Sequence, residues 1–366
     1  MIWTREIWRA KVKFGLLATA VGLLFFLLVF VNTLSSTLLD QFIGAIENSS
    51  ADVLVFDSEA QATIPASRLS MDEVERVAAV EGVAVAAPIS VLATEAELAE
   101  EAIDVSLWGL EIEGPGTPTD LVEGGYPEDN EALVDTSARE AGFTVGEIVD
   151  VGGVSIEIVG VAENATYSVA PTLYVTNPTW SEAFSGLFPQ APAAPVNLIG
   201  VAVDVGIDAG TAATDISALD GLEGLLPAQA AAATPGVSSI EQSFALITGI
   251  TFVIVAVVVG FFFQILTVQK LRVFALLEAL GSRFRSLVSY VLTQIGFLVT
   301  LGMVVGVAML AGAVVLTRDV FAISIDPLIV ALFGGAILLA TLLSGFTSIR
   351  RIAKQDAASV ATGGSR

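Results

Sequence analysis

Four long apolar segments stand out in the sequence, and the rest of the chain alternates short β-branched runs with polar turns. The apolar segments occupy residues 14–34, 244–268, 287–316 and 327–347. About 20 helical residues cross a hydrocarbon core of roughly 30 Å, so each segment is long enough to form a transmembrane helix. None of the four contains Asp, Glu, Lys or Arg. The pattern predicts an α-helical membrane protein with four transmembrane helices.

The first apolar segment follows a basic stretch, as the apolar region of a secretory signal peptide does. Its run from Phe14 to Val31 is longer than a typical signal region, and no clear Ala-x-Ala cleavage site follows. We therefore expect a retained anchor. Apolar residues recur at helical spacing within residues 1–13, which predicts a cytoplasmic interfacial helix lying on the inner leaflet. A simple helical extension of the first span is the alternative.

The basic residues predict how the chain is oriented, because Lys and Arg are retained on the cytoplasmic side. They fall in three clusters, before the first span, between the second and third spans, and after the fourth span. With four spans, all three clusters lie on one side. Both termini are then cytoplasmic, with a tail at 348–366, whereas residues 35–243 and the short loop 317–326 lie outside.

The large segment at residues 35–243 has the pattern of an α+β domain. A helix is predicted from Ser70, because Glu73 follows at the spacing of a capping box. A second helix is predicted after Asn177, with Pro178 in its first turn. Gly152 and Gly153 separate two β runs and predict a hairpin. Residues 185–240 are rich in Ala, Pro and Gly, and form either a small second lobe or a loose connection. The strand candidates are 52–56, 83–91, 103–110, 131–135, 148–151, 154–161, 172–176 and 196–204.

Charge is distributed very unevenly between this segment and the rest of the chain. Residues 32–243 contain 34 Asp and Glu but three Lys and Arg, a formal charge of −31, whereas the remainder carries five acids and thirteen bases. Nucleic acid is excluded as a partner, because phosphate binding needs clustered bases. A solubilising or salt-adapted surface explains the acids, and no calcium-loop pattern occurs among them.

The residue types in the chain also exclude several kinds of chemistry. The sequence contains neither Cys nor His, which removes thiolate nucleophiles, Ser-His and Cys-His pairs and the usual zinc or haem ligands. A phosphate-binding Walker A loop needs Gly-Lys-Ser/Thr, and none of the four lysines follows Gly. The absence of ionisable groups from the four spans argues against proton- or ion-coupled transport. We expect a chain that is not an enzyme and binds no cofactor or metal.

The stretch from Thr267 to Arg283 resembles the cytoplasmic segment after the second span in permeases of the FtsX/MacB type, where a basic, apolar helix ends in Ala-Leu-Gly-Ala/Ser. The order of one span, a large outer domain and three further spans also resembles that family. So do Glu81-Gly82-Val83 with Pro88, and the run from Glu131 to Gly146. The family more often has an acidic residue where Val273 stands and a basic one where Glu278 stands.

This resemblance implies the permease subunit of a MacB-like ABC transporter in a bacterial cell membrane, with ATP hydrolysed by a partner ATPase. It also implies a homodimer, or a heterodimer with a related permease, and an extracytoplasmic adaptor is a further candidate partner. The alternative is an FtsX-like regulator that activates cell-wall hydrolases. The sequence identifies no substrate.

The resemblance further implies that residues 269–286 are the segment that couples the permease to the ATPase. An ordinary basic loop, with leucines against the bilayer interface, is the competing interpretation. The predicted coupling residues are Leu276, Leu277, Ala279, Leu280, Gly281, Ser282 and Arg283.

Within the spans, Ala18 with Gly22, and Gly302 with Gly306, have the small-xxx-small spacing of closely packed helices.

Overall fold

The computed structural model describes residues 11–99, 101–191, 194–269, 284–317 and 327–343. The chain divides into two compact units, with the divisions at Ser35/Ser36 and Gln242/Ser243. One unit is built from apolar helices. The other, here called the inserted domain, comprises residues 36–242 and contains every strand described below.

The helical unit is formed by helices whose apolar side chains pack on one another. The helices span Lys11–Glu47 (α1), Val237–Gln269 (α7), Phe284–Thr317 (α8) and Pro327–Leu343 (α9). Helices α1, α7 and α8 are long and apolar enough to cross a membrane, and the described part of the fourth apolar helix, α9, is shorter. Phe25, Leu28, Val259, Phe263 and Leu298 are among the buried side chains of their shared core.

Close packing between α1 and α8 depends on the two small-xxx-small pairs. A Cβ atom added at Gly22 would lie 2.7 Å from the carbonyl oxygen of Gly302, and one added at Gly306 would lie 2.7 Å from that of Gly22. A Cβ at Gly302 would lie 3.0 Å from the carbonyl oxygen of Ala18. The predicted pairs therefore face each other, and their backbones touch where a larger residue would separate the helices.

Besides the end of α1 and the start of α7, the described residues of the inserted domain contain ten strands, five α-helices and two short 3-10 helices, Ser58–Ala60 and Ile64–Ala66. Its strands are Val53–Asp57 (β1), Val83–Leu98 (β2), Glu101–Leu110 (β3), Leu121–Gly124 (β4), Glu131–Asp135 (β5), Ile148–Val151 (β6), Val154–Ala162 (β7), Thr172–Thr176 (β8), Leu198–Val203 (β9) and Leu222–Leu225 (β10). Its helices are Met71–Ala78 (α2), Thr136–Glu140 (α3), Asn177–Leu187 (α4), Ala209–Ser217 (α5) and Pro227–Ala233 (α6).

The strands form two lobes that share the long strand β2. Their order is β10-β1-β9-β2-β3-β8-β5-β7-β4, and β6 pairs with both β7 and β2. Strands β3 and β8, and β5 and β7, run parallel, and the other pairs are antiparallel. In lobe one, the first half of β2 extends the sheet β10-β1-β9. In lobe two, its second half joins β3, β8, β5, β7 and β6 in a closed ring of six strands, because Glu97 pairs with Asp150.

Each lobe is stabilised by its own apolar core, and a third core lies between them. Helices α2 and α5 cover one face of lobe one, where Val77 and Ile216 are fully buried. Lobe two encloses Val134, Phe143 and Ile156. The third cluster combines side chains from β1, β2, β3, β5 and β8 with the end of α1. Such buried apolar area is the main stabilising contribution to a domain of this size.

Most of the predicted elements are confirmed with small shifts at their ends, except that β2 continues from its predicted end at residue 91 to Leu98. Glu73 accepts a hydrogen bond from the Ser70 N–H at 2.6 Å, as a capping box requires, but the Ser70 hydroxyl donates to the same carboxylate. Helix α4 begins at Asn177, and Gly152 and Gly153 form the turn of the predicted hairpin. The region 185–240 is not a loose connection, because β9, α5 and β10 belong to lobe one and α6 packs in the cluster between the lobes.

Candidate functional site at the stalk joint

The site that best connects fold with function is the place where the end of α1 enters the inserted domain. We call residues 36–47 the stalk, because α1 continues through them after its apolar segment without interruption. Ile43 and Ile46 of the stalk are buried in the cluster between the lobes. Leu39 and Phe42 pack on the same cluster at its edge. The last turns of the helix are therefore part of the domain core.

The stalk is bound by the loop between β7 and β8, residues 163–171, which we call the joint segment. The N–H of Ser168 donates to the carbonyl oxygen of Phe42 at 3.0 Å, and that of Val169 donates to Gln41 at 2.9 Å. In the opposite direction, the N–H of Ala45 donates to the carbonyl oxygen of Thr166 at 3.0 Å. Three backbone hydrogen bonds thus join the two segments.

Side chains add to this backbone connection. The Asn48 amide donates to the carbonyl oxygens of Gly44 and Asn164, each at 3.2 Å. A Cβ atom at Gly44 would lie 3.0 Å from the Asn164 carbonyl oxygen, so the absence of a side chain allows the joint segment to approach this closely. Tyr167 packs against the same core and meets Trp108 edge to face, with ring centroids 5.4 Å apart.

Asp135 lies beside the joint segment, where β5 ends and α3 begins. Its side chain is completely buried and accepts five hydrogen bonds. The N–H groups of Ser137 and Ala138 donate to it, as expected for the N-cap of α3. The Thr166 hydroxyl donates to it at 2.5 Å and the Thr172 N–H at 2.7 Å. The fifth donor is the Ser137 hydroxyl, at 2.6 Å. Asp135 therefore joins β5, α3, β8 and the joint segment.

The neighbouring Tyr174 completes this buried network. Its hydroxyl donates to the carbonyl oxygen of Ala165 at 2.5 Å, and its ring is fully buried. Burial, and to a lesser degree the negative charge of Asp135, raise the pKa of Tyr174 well above its usual value. The phenol consequently remains protonated and keeps donating at any physiological pH. The hydrogen bond from Tyr174 to Ala165 therefore persists through pH changes near neutrality.

The predicted coupling residues, Leu276, Leu277, Ala279, Leu280, Gly281, Ser282 and Arg283, lie outside the described residues, as does most of the predicted interfacial helix. Their role stays a prediction. Asp135 is not among the site residues predicted from the sequence. The available signal was local: an apolar strand followed by Asp-Thr-Ser is a typical helix N-cap. Among the described residues, no group of three or more carboxylates could hold a metal ion.

Comparisons with known proteins agree on one family. Residues 16–219 match the model of the MacB-like periplasmic core domain, and residues 245–357 match that of the FtsX-like permease C-terminal region. Uncharacterized ABC transporter permeases of Mycobacterium tuberculosis, from strains CDC 1551 and H37Rv, are each 24% identical over 306 residues, which cover 82% of each chain.

Solved structures of periplasmic or extracellular regions were also found. The periplasmic region of MacB from Actinobacillus actinomycetemcomitans is 12% identical with a TM-score of 0.38, and covers 55% of this chain and 95% of its own. The extracellular domain of the transporter YknZ from Gram-positive bacteria is 16% identical with a TM-score of 0.34, and the match covers 47% of this chain and 98% of that domain. These scores are low, and the assignment rests on the family models. Because the two models together cover most of the sequence in the expected order, the chain belongs to the FtsX/MacB-type family of ABC transporter permeases.

Proposed function

We propose that this permease is the transmembrane subunit of a MacB-like ABC exporter, and that it converts ATP hydrolysis by a partner ATPase into movement of its inserted domain. The observation that carries the proposal is the continuity of α1 from its apolar segment to the buried stalk end. An α-helix of 37 residues is about 55 Å long at 1.5 Å per residue. A rod of that length can transmit a displacement from one side of a membrane to the other.

The ATPase would dock on residues 269–286. Leu276, Leu277 and Leu280 need an apolar partner on the cytoplasmic side, and a protein groove suits them better than water. Gly281 would end the helix in a left-handed cap, which turns Arg283 toward the partner. The full set proposed for this contact is Leu276, Leu277, Ala279, Leu280, Gly281, Ser282 and Arg283.

The docking proposal is tested by affinity purification of the full chain from its own host. We expect an ABC ATPase to co-purify with the wild type and to be lost with Leu280→Glu. Ile148→Glu is the matched control, because Ile148 is 63% exposed in the inserted domain and the charge change is the same. Equal recovery of the ATPase with Leu280→Glu and with the control would contradict docking at this segment.

The same proposal requires both termini in the cytoplasm, four spans and the inserted domain outside. The natural absence of cysteine allows single-site labelling. A cysteine at the exposed Glu140 should react with a membrane-impermeant maleimide in intact cells, whereas one at Ser359 should react only after the cells are broken. If the cysteine at position 359 reacted in intact cells and the one at position 140 reacted only after breakage, the predicted orientation would be wrong.

The exporter would work as a dimer, formed by two copies or by this chain and a related permease, and an extracytoplasmic adaptor could receive its substrate. An FtsX-like regulator would use the same transmission. Deletion of the gene distinguishes the two roles. A defect in cell separation that is relieved by added wall hydrolase indicates regulation. Normal cell separation, together with accumulation of a compound inside the cell, indicates export.

A further inference from the structure

We propose that the side-chain amide of Asn164 is an acceptor for N-linked glycosylation, and that the donor is an oligosaccharide carried on a lipid phosphate. This inference rests on the orientation given under the proposed function, because glycans of this kind are attached to the parts of a chain that lie outside the membrane.

Asn164 is the first residue of an acceptor motif. N-linked glycosylation requires Asn-x-Ser/Thr, in which x is not Pro. Three of the six asparagines have Ser or Thr two positions later, and one of these, Asn177, is excluded because Pro178 follows it. The remaining motifs are Asn48-Ser49-Ser50 and Asn164-Ala165-Thr166. Both lie in the inserted domain, so their surroundings in the fold have to decide between them.

The folded domain has room for a glycan at Asn164. This residue is exposed, and its φ angle is 53°, a conformation that Asn adopts more readily than most residues. Its backbone carbonyl oxygen accepts a hydrogen bond from Asn48. Its side chain makes no hydrogen bond to any residue that the structure describes. A sugar on the Asn164 amide therefore breaks none of the described contacts.

Asn48 is also exposed, but its amide contributes to the fold. The Nδ2 atom of Asn48 donates to the carbonyl oxygens of Gly44 and Asn164, each at 3.2 Å. A glycosylated amide nitrogen keeps a single hydrogen, so at least one of these two hydrogen bonds would be lost. Losing a hydrogen bond typically costs about 0.5–1.5 kcal/mol. The structure thus favours Asn164 over Asn48 as the modified residue.

The threonine of the motif sets the time at which the transfer takes place. Thr166 is 6% exposed, and its hydroxyl donates to Asp135. Because the motif requires a hydroxyl at this position, the transferase has to reach it. It is accessible only before lobe two folds. The glycan is therefore added to the newly translocated chain, and the folded domain then carries it on its surface.

The transfer is a substitution at the anomeric carbon of the lipid-linked sugar. The Nδ2 atom of Asn164 forms a bond to this carbon while the bond from the carbon to the phosphate oxygen breaks. The lipid phosphate leaves with the electron pair, and the amide loses one proton. The step needs neither an oxidant nor a reductant.

Mass spectrometry of the full chain, purified from its own host, tests the assignment. A protease that cleaves after Glu separates the two candidates, because it releases residues 164–182 and residues 48–59 as different peptides. We expect a glycan on peptide 164–182, with sugar-bearing fragments that place it on Asn164, and none on peptide 48–59. An unmodified peptide 164–182, or a glycan on Asn48 alone, would overturn the proposal.

Variants of the motif test the chemistry of the attachment. Asn164→Asp tolerates the same φ angle but lacks the amide nitrogen, so the glycan should be lost completely. Thr166→Ser preserves the motif and should keep the glycan, whereas Thr166→Val should abolish it. A glycan retained by Thr166→Val would show that another reaction attaches it and would refute the assignment.

Cysteine labelling at position 140 reports the orientation independently. If that cysteine reacts in intact cells and peptide 164–182 is unmodified, only the glycosylation proposal is wrong. If it reacts only after breakage, the proposed orientation fails together with the glycosylation that depends on it.

Discussion

Asp135 is the only buried carboxylate among the described residues, and five donors surround it. Replacing Asp135 with Asn would place an amide N–H₂ where a donor now points, which leaves buried donors unpaired. We expect Asp135→Asn to lower the free energy of unfolding by about 1.5–3 kcal/mol, the range for hydrogen bonds to a charged group. Chemical denaturation of the full chain in detergent, followed by tryptophan fluorescence, measures the change.

The control for this substitution is Asp208→Asn. Asp208 also caps a helix, through the Thr211 N–H at 2.9 Å, but it is exposed, and Asn caps about as well as Asp. Equal effects of the two substitutions would mean that burial gives Asp135 no special importance.

The role of Asp135 was not predictable from the sequence, for a physical reason. Only its contacts with Ser137 and Ala138 follow from local spacing. Thr166 and Thr172 lie 31 and 37 positions further along the chain. The N-cap pattern does not by itself predict burial, because Asp208 also caps a helix and is exposed. The burial of Asp135 is a consequence of how β5, β8 and the joint segment meet.

At the scale of elements, the glycine contact between α1 and α8 makes a sharp prediction. A Cβ atom at Gly306 would lie 2.7 Å from the Gly22 carbonyl oxygen, whereas one at Gly312 would meet nothing within 4 Å. Overpacking typically costs about 1–3 kcal/mol. Gly306→Leu should therefore lower the melting temperature in detergent and broaden the size-exclusion peak, and Gly312→Leu should leave both near wild type. Equal behaviour of the two variants would argue against this helix contact.

The elements also show which patterns carry structural information. Strands Glu131–Asp135, Ile148–Val151 and Thr172–Thr176 were predicted at their observed ends, because turn residues bound each apolar run. The strands Leu121–Gly124 and Leu222–Leu225 were not predicted, because each contains a Glu and a Gly, which are residue types depleted in strands. Strand β2 continues to Leu98, past its predicted end at residue 91. Its extension closes the ring of lobe two by pairing Glu97 with Asp150 of β6. Because β6 lies about fifty positions further along the chain, local sequence does not show this pairing.

At the scale of the whole molecule, the acidic surface has cross-strand pairs of like charge. In the extension of β2, Glu95 lies directly opposite Asp104, and Glu97 opposite Asp150. Directly opposed like charges destabilise a sheet. With a formal charge of −31 in residues 32–243, the wider domain adds further repulsion to each pair. Dissolved salt screens the charges and reduces this repulsion, so the pairs destabilise the sheet most at low ionic strength.

We therefore expect the inserted domain to become more stable as ionic strength rises. The screening length falls from about 30 Å at 0.01 M salt to about 3 Å at 1 M, which removes most repulsion between exposed carboxylates. Glu95→Lys should stabilise the full chain by about 0.2–1 kcal/mol in 0.01 M NaCl, the usual range for a cross-strand pair. The gain should disappear in 1 M NaCl. Glu95→Asp keeps the charge and should retain the wild-type salt dependence. A melting temperature that falls with added NaCl, or a Glu95→Lys gain that is the same at both concentrations, would show that packing rather than charge governs this surface.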